Sequence, residues 1–93
     1  MAKSPTITRS FTLVNRLGMH ARPASLFVQT ASRFGADVAV IKDKRTINGK
    51  SILGLLTLAA GKGMSLTVSA RGQDAGEALD ALEKLIATKF GEE

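Results

Sequence analysis

A chain of 93 residues, 44% hydrophobic and 23% charged, has the length of one ordinary domain and the composition of a globular protein, which excludes a second core, a fibrous repeat and a disordered chain. It has no cysteine and one histidine, so disulfide scaffolds, thiol nucleophiles, thiolate zinc sites and polyhistidine metal centres are excluded; no metal and no cofactor is expected. Thirteen Lys and Arg against eight Asp and Glu leave a net charge of +5, which admits nucleic acid, phosphate-bearing ligands or an acidic protein as partners without choosing among them.

The longest apolar stretches, such as Ile52 to Ala60 broken by Gly54 and Thr57, fall far short of the roughly 18 residues of a membrane span, so no membrane insertion is expected. The opening Met-Ala-Lys-Ser-Pro-Thr lacks the apolar core of a secretory signal, and a cytoplasmic location is inferred.

From Ile7 to Val14, the apolar residues Ile7, Phe11 and Leu13 alternate with threonine and serine, broken only by Arg9; the period of two predicts a half-buried strand. Gly18 marks a loop, and Pro23 is tolerated only in the first turn of a helix, so a helix should begin close to Ala21. Ala24, Phe27, Val28, Ala31 and Phe34 recur at helical spacing up to a C-terminal cap at Gly35. Val38, Val40 and Ile41 predict a second strand and Arg45 to Asn48 a third, paired as a hairpin through Asp43-Lys44. Ser51 stands where a helix N-cap belongs, followed by Ile52, Leu55, Leu56 and Ala59, and that short helix must stop near Gly61. Met64, Leu66, Val68 and Ala70 alternate with Ser65, Thr67, Ser69 and Arg71 in a fourth strand. Asp74-Ala-Gly-Glu77 has the pattern of a capping box, and Ala78, Leu79, Leu82, Leu85, Ile86 and Phe90 continue as an amphipathic terminal helix. Residues 1–93 are thus expected to form a single α+β domain, an open-faced β-sandwich of order β-α-β-β-α-β-α, with a four-stranded antiparallel sheet covered on one face by three helices.

The chemistry concentrates at His20, the one side chain that ordinarily titrates near neutrality, directly before the first helical turn. The unpaired N–H groups and partial positive charge of a helix N-terminus favour a dianion, and Arg22 offers a charge-assisted fork for phosphate oxygens. The same positive surroundings favour the neutral imidazole, the nucleophilic form. Gly18 lets the loop turn tightly enough for the ring to face outward. Residue types alone favour a plainer reading, in which His20 is a partly exposed loop residue and Pro23 a helix starter.

The string Gly18-Met19-His20-Ala21-Arg22-Pro23-Ala24 resembles the active-site signature of the HPr family, the histidine-containing phosphocarriers of the bacterial phosphoenolpyruvate:sugar phosphotransferase system. Lys50-Ser51-Ile52-Leu53-Gly54-Leu55-Leu56-Thr57-Leu58 is similar to the family's regulatory serine segment, and Ser51 follows His20 by 31 residues, as the family's serine does. The likeness runs from strand one through Gly72, Asp74 and the closing helix. It implies that His20 accepts a phosphoryl group on Nδ1 from phosphorylated enzyme I and passes it to enzyme IIA components, as a carrier rather than a free-standing enzyme. Arg22 matches the phosphate-side arginine, and Pro23 and Ala24 the residues that set the helix start. Met19 replaces the commoner leucine at similar volume, and Leu17 stands where some relatives carry a polar residue.

By the same resemblance Ser51 matches the serine modified by a serine-directed HPr kinase/phosphorylase, although its N-cap position already accounts for it structurally. Ile52, Leu53 and Leu56 cannot all face the sheet together with Leu55 and Ala59, so some apolar surface must be exposed. The family docks enzyme I and enzyme IIA through such a patch, and a monomer is expected. The run Lys42-Asp-Lys-Arg45 reads as solvated charge at a hairpin turn. Without Trp or Tyr, and with only four Phe, the chain has little material for stacking bases, and no nucleic-acid partner is expected. One histidine with neither a thiol nor a metal cluster makes no hydrolase. The competing reading is a non-catalytic basic binding module.

Overall fold

The computed structural model describes residues 6–58 and 60–92. In chain order it contains β1 (Thr6–Thr12), α1 (Ala21–Ala31), β2 (Asp37–Lys42), β3 (Arg45–Asn48), α2 (Ile52–Leu56), β4 (Ser65–Arg71), α3 (Ala75–Ala87) and a short 3₁₀ turn at Lys89–Gly91. The strands form one antiparallel sheet in the order β1-β4-β2-β3. This is the α+β open-faced sandwich expected of the sequence, with β2 and β3 paired as its hairpin.

Strand register explains the layering. Phe11 lies opposite Leu66, and Val68 opposite Val40, with Ala70 opposite Val38; these side chains are all buried. Because strand side chains alternate faces, this register puts one apolar face under the helices and sends Thr8, Ser65 and Arg71 outward. Phe27 of α1, Leu55 of α2, and Leu79 and Leu82 of α3 close the core from above. Arg9 occupies the inward phase of β1, yet its guanidinium reaches Asp80 and Glu83 of α3 at 2.7 and 3.2 Å. The long side chain covers apolar surface with its stem and carries its charge to the rim. No helix among the described residues is long and apolar enough to cross a membrane.

Four local readings need correction. First, α1 ends at Ala31, with Ser32 as its C-cap, and a tighter turn through Phe34 follows, so Gly35 is not a left-handed cap. Second, Asp74 precedes α3 but makes no capping bond. Its two carboxylate oxygens accept the amides of Gly35 and Ala36, each at 2.8 Å, which ties the entry to β2 against the start of α3. Third, Lys42 and Arg45 are not simply solvated. Lys42 Nζ donates to Leu58 O at 3.1 Å and Arg45 Nη1 to Thr57 O at 2.7 Å, so cations of the hairpin satisfy carbonyls just beyond α2.

Fourth, α3 does not continue through Phe90. Lys89, Phe90 and Gly91 turn through positive φ of 58°, 55° and 74°. The left-handed region costs a residue with a Cβ roughly 1–2 kcal/mol, and burying a Phe side chain returns about 1.5–3 kcal/mol. Phe90 is 2% exposed, so its burial offsets much of the turn's cost and points the chain back toward the N-terminal end of α1. Ala59, one of the apolar positions expected in the second helix, lies outside the described residues, as does the N-terminal segment 1–5.

Candidate functional site

The loop before α1 is built around Gly18. At φ +66°, a Cβ there would collide with the carbonyl oxygen of Ala60 and lie 2.6 Å from the Cα of Gly61. Only a residue without a Cβ lets the two backbones meet this closely. The Met19 amide then donates to Ala60 O at 2.8 Å, which locks the histidine loop to the segment after α2. Met19 itself is buried beneath the loop.

His20 is the N-cap of α1, in extended conformation, and makes no side-chain cap bond; its carbonyl accepts the Ala24 amide at 2.9 Å. A helix leaves its first N–H groups without intrahelical partners. Pro23 has none to leave, so those of Ala21 and Arg22 face the loop. His20 is 35% exposed and Arg22 is exposed, so an anion approaching the ring meets two amide donors, the positive helix end and a guanidinium within one turn.

Two neighbours of the ring were not singled out from the sequence. His20 Nε2 lies 3.0 Å from Oε2 and 3.3 Å from Oε1 of Glu92. Fully buried Asn15 donates through Nδ2 to Gly18 O at 2.7 Å and to Glu92 Oε1 at 3.0 Å. The Asn15 bond, joined by the bond and charge of His20 and the charge of Arg22, holds the Glu92 carboxyl below the ordinary glutamate range against the opposing effect of burial. No sequence signal could have found Glu92, which stands 72 residues from His20. Asn15 sits in a loop where its residue type is common.

The second cluster lies on α2. Ser51 Oγ accepts the Gly54 amide at 3.0 Å, the geometry of an N-cap. Ile52, Leu53 and Leu56 are exposed, Leu53 at 77%, and Leu17 in the histidine loop at 67%. Lys50 Nζ donates to Phe34 O at 2.9 Å, past the end of α1, whereas Ala60 meets Met19 before its start. The α2 segment therefore runs antiparallel to α1, with Ser51 toward the end of α1 remote from His20. The two residues are not in contact. A cleft of about 540 Å³ between β1 and α3, lined by Phe11, Val14, Glu83 and Ile86 among others, does not include His20. Among the described residues, no group of His, Asp and Glu is arranged to hold a metal ion.

Comparison with known proteins places the chain in a family. A family profile described as "PTS HPr component phosphorylation site" matches residues 7–88. The chain is 42% identical over 87 residues to the phosphocarrier protein HPr of Treponema pallidum, covering 94% of this chain and 99% of that protein. Among solved structures, HPr-C-His of Thermoanaerobacter tengcongensis superposes with a TM-score of 0.90 at 46% identity, covering 94% of this chain and 98% of that one. A structure described as an HPr dimer from the same organism gives 0.75 at 48% identity, with 88% and 94% covered.

Proposed function

The chain belongs to the HPr family of phosphocarriers of the phosphotransferase system, and from that premise we propose that His20 accepts a phosphoryl group on Nδ1 from phosphorylated enzyme I and hands it to enzyme IIA components. The observation that carries this reading is the placement of the ring. His20 caps α1 with no cap bond from its side chain, Glu92 engages Nε2, and the amides of Ala21 and Arg22 open the helix directly after it. The helix end and Arg22 stabilise the dianion without a metal. Arg22, exposed beside the ring, supplies the charge that follows the phosphoryl group through transfer. A partly exposed acceptor suits a carrier, since the same nitrogen must meet a donor and then a recipient.

In this reading residues 1–93 act as one HPr-like domain in the cytoplasm, and Ile52, Leu53 and Leu56, with Leu17 of the histidine loop, form the docking face for both partners. Ser51 is the regulatory position for an HPr kinase/phosphorylase. A phosphate there would suit the cap of α2 electrostatically, but it would set a charge of about −1.5 to −2 at the rim of the apolar face, where a covering partner must desolvate it. A monomer serves a carrier that presents one face to two partners in turn, and sedimentation would distinguish it from the dimeric state named for the Thermoanaerobacter relative.

Incubation with phosphoenolpyruvate and enzyme I should add about 80 Da, one phosphoryl group, to the parent chain and nothing to His20→Ala. An unchanged parent mass would favour the basic binding module instead, and acid-labile label retained by His20→Ala would move the acceptor elsewhere.

A further inference from the structure

The anchoring of Glu92 is more elaborate than holding down a chain end requires. Asn15 spends both amide hydrogens on fixed partners, one on Gly18 O and one on Glu92 Oε1, so the same buried side chain shapes the histidine loop and orients the carboxylate. The left-handed turn at Lys89–Gly91, pinned by buried Phe90, delivers Glu92 from 72 residues further along the chain. Its side chain is 18% exposed, and both oxygens lie within reach of Nε2.

An ionised carboxylate only accepts hydrogen bonds, and a neutral imidazole carries one N–H. A proton shared between the two must therefore reside on Nε2, which leaves the lone pair on Nδ1. We propose that Glu92, oriented by Asn15, is a positioning residue for His20: it holds the ring proton on Nε2, presents Nδ1 as the nucleophile, and balances the positive charge the ring acquires when Nδ1 bonds to phosphorus. This rests on the reading of His20 as a phosphoryl acceptor. The Nδ1 lone pair forms the P–N bond while the bond from phosphorus to the donor atom breaks and its electron pair stays with the donor. The Nε2 proton remains in place, so the ring becomes cationic beside an anionic carboxylate and no proton need leave. In onward transfer the P–N electron pair returns to Nδ1 and restores the neutral ring. A carboxylate that orients the distal nitrogen of a histidine serves the same purpose wherever one ring nitrogen must be kept free.

The test uses the full chain, labelled with ¹⁵N, as parent, Glu92→Ala and Glu92→Gln. With one histidine, the ring signals need no site assignment. At a pH where the ring is neutral, the parent should show Nδ1 at its unprotonated extreme. In Glu92→Ala the two nitrogen shifts should move toward each other as the tautomers exchange, and Glu92→Gln, whose carbonyl still accepts, should stay near the parent. In transfer from enzyme I, Glu92→Ala should lose roughly tenfold in kcat with KM within about twofold, and Glu92→Gln should fall between, since it keeps the tautomer but not the charge. Parent-like ring shifts and parent-like kcat in Glu92→Ala would overturn the proposal, as would a loss confined to KM, which marks a docking contact. Should the parent itself accept no phosphoryl group, the acceptor reading falls with the charge-balancing role, and the ring shifts alone decide whether Glu92 sets the tautomer.

Discussion

Replacing Asp74 with alanine removes a carboxylate that joins two segments 38 and 39 residues apart in the chain, and the structure sets the size of the effect. Both oxygens accept backbone amides at 2.8 Å, from Gly35 and from Ala36. A hydrogen bond to a charged partner contributes about 1.5–3 kcal/mol. Gly35 is exposed and water can replace its partner, whereas Ala36 is 1% exposed and its amide would be left unsatisfied, so the lower end of the sum applies, about 3 kcal/mol. For a domain of this size that corresponds to a fall in thermal midpoint of roughly 12–24 °C. An N-cap would be worth only about 0.5–2 kcal/mol, and serine would replace it with little loss. Asp74→Ser therefore discriminates: one short hydroxyl cannot span two amides, so its stability should lie close to that of Asp74→Ala. Asp74→Asn, which keeps one acceptor and turns an NH₂ toward the other amide, should fall between alanine and the parent. Urea unfolding followed by circular dichroism gives the free energies, and hydrogen exchange at the Ala36 amide reports the lost bond directly. If Asp74→Ser unfolds within about 0.5 kcal/mol of the parent and Ala36 keeps its protection, the carboxylate acts as a local cap and the bridging account is wrong.

Gly18→Ala should cost at least about 1–2 kcal/mol for the left-handed backbone alone, and more for the contact with Ala60 and Gly61, with phosphoryl acceptance falling as the loop shifts; parent-like urea unfolding would show that the loop yields freely. Arg22→Ala should slow transfer from enzyme I more than about tenfold, which is about 1.4 kcal/mol of barrier, with little change in thermal midpoint because the side chain is exposed; stability lost at a normal transfer rate would reverse that role. Ser51→Asp should leave the circular dichroism spectrum unchanged and raise the apparent KM for enzyme I, and Ser51→Ala should transfer almost normally; equal transfer by the aspartate variant across a range of salt concentrations would leave Ser51 a cap and nothing more. The Glu92 carboxyl is held below its ordinary range in the folded chain, so the stability it adds is complete above that range and is lost as the pH falls through the lowered folded value; acid unfolding of Glu92→Gln should lack this component, and identical acid profiles would remove it.

The sequence alone determined what depends on neighbours along the chain. The alternation from Leu66 to Arg71 identifies a strand and its buried face because a pleat repeats every second residue. Pro23 marks the start of α1 because its ring excludes all but the first turn, and Ser51 announces a cap because its hydroxyl reaches an amide only three residues on. The strings Gly18 to Ala24 and Lys50 to Leu58, in register 31 residues apart, carried the likeness from which His20 is proposed as the phosphoryl acceptor. Tertiary structure decided the rest. The capping-box pattern at Asp74 is real as a pattern, yet the amides of Gly35 and Ala36 compete for the same carboxylate and win it. Lys42 and Arg45 read as solvated charge until the end of α2 brings them carbonyls. The periodicity that would extend α3 through Phe90 gives way to a left-handed turn that buries that ring in the core, which offsets much of the turn's cost. The strand order β1-β4-β2-β3 and the approach of Glu92 to His20 across 72 residues leave no local trace, because a side chain's propensity is set by its own backbone and near neighbours, whereas its partner is chosen by whatever the folded chain carries within a few ångströms of it.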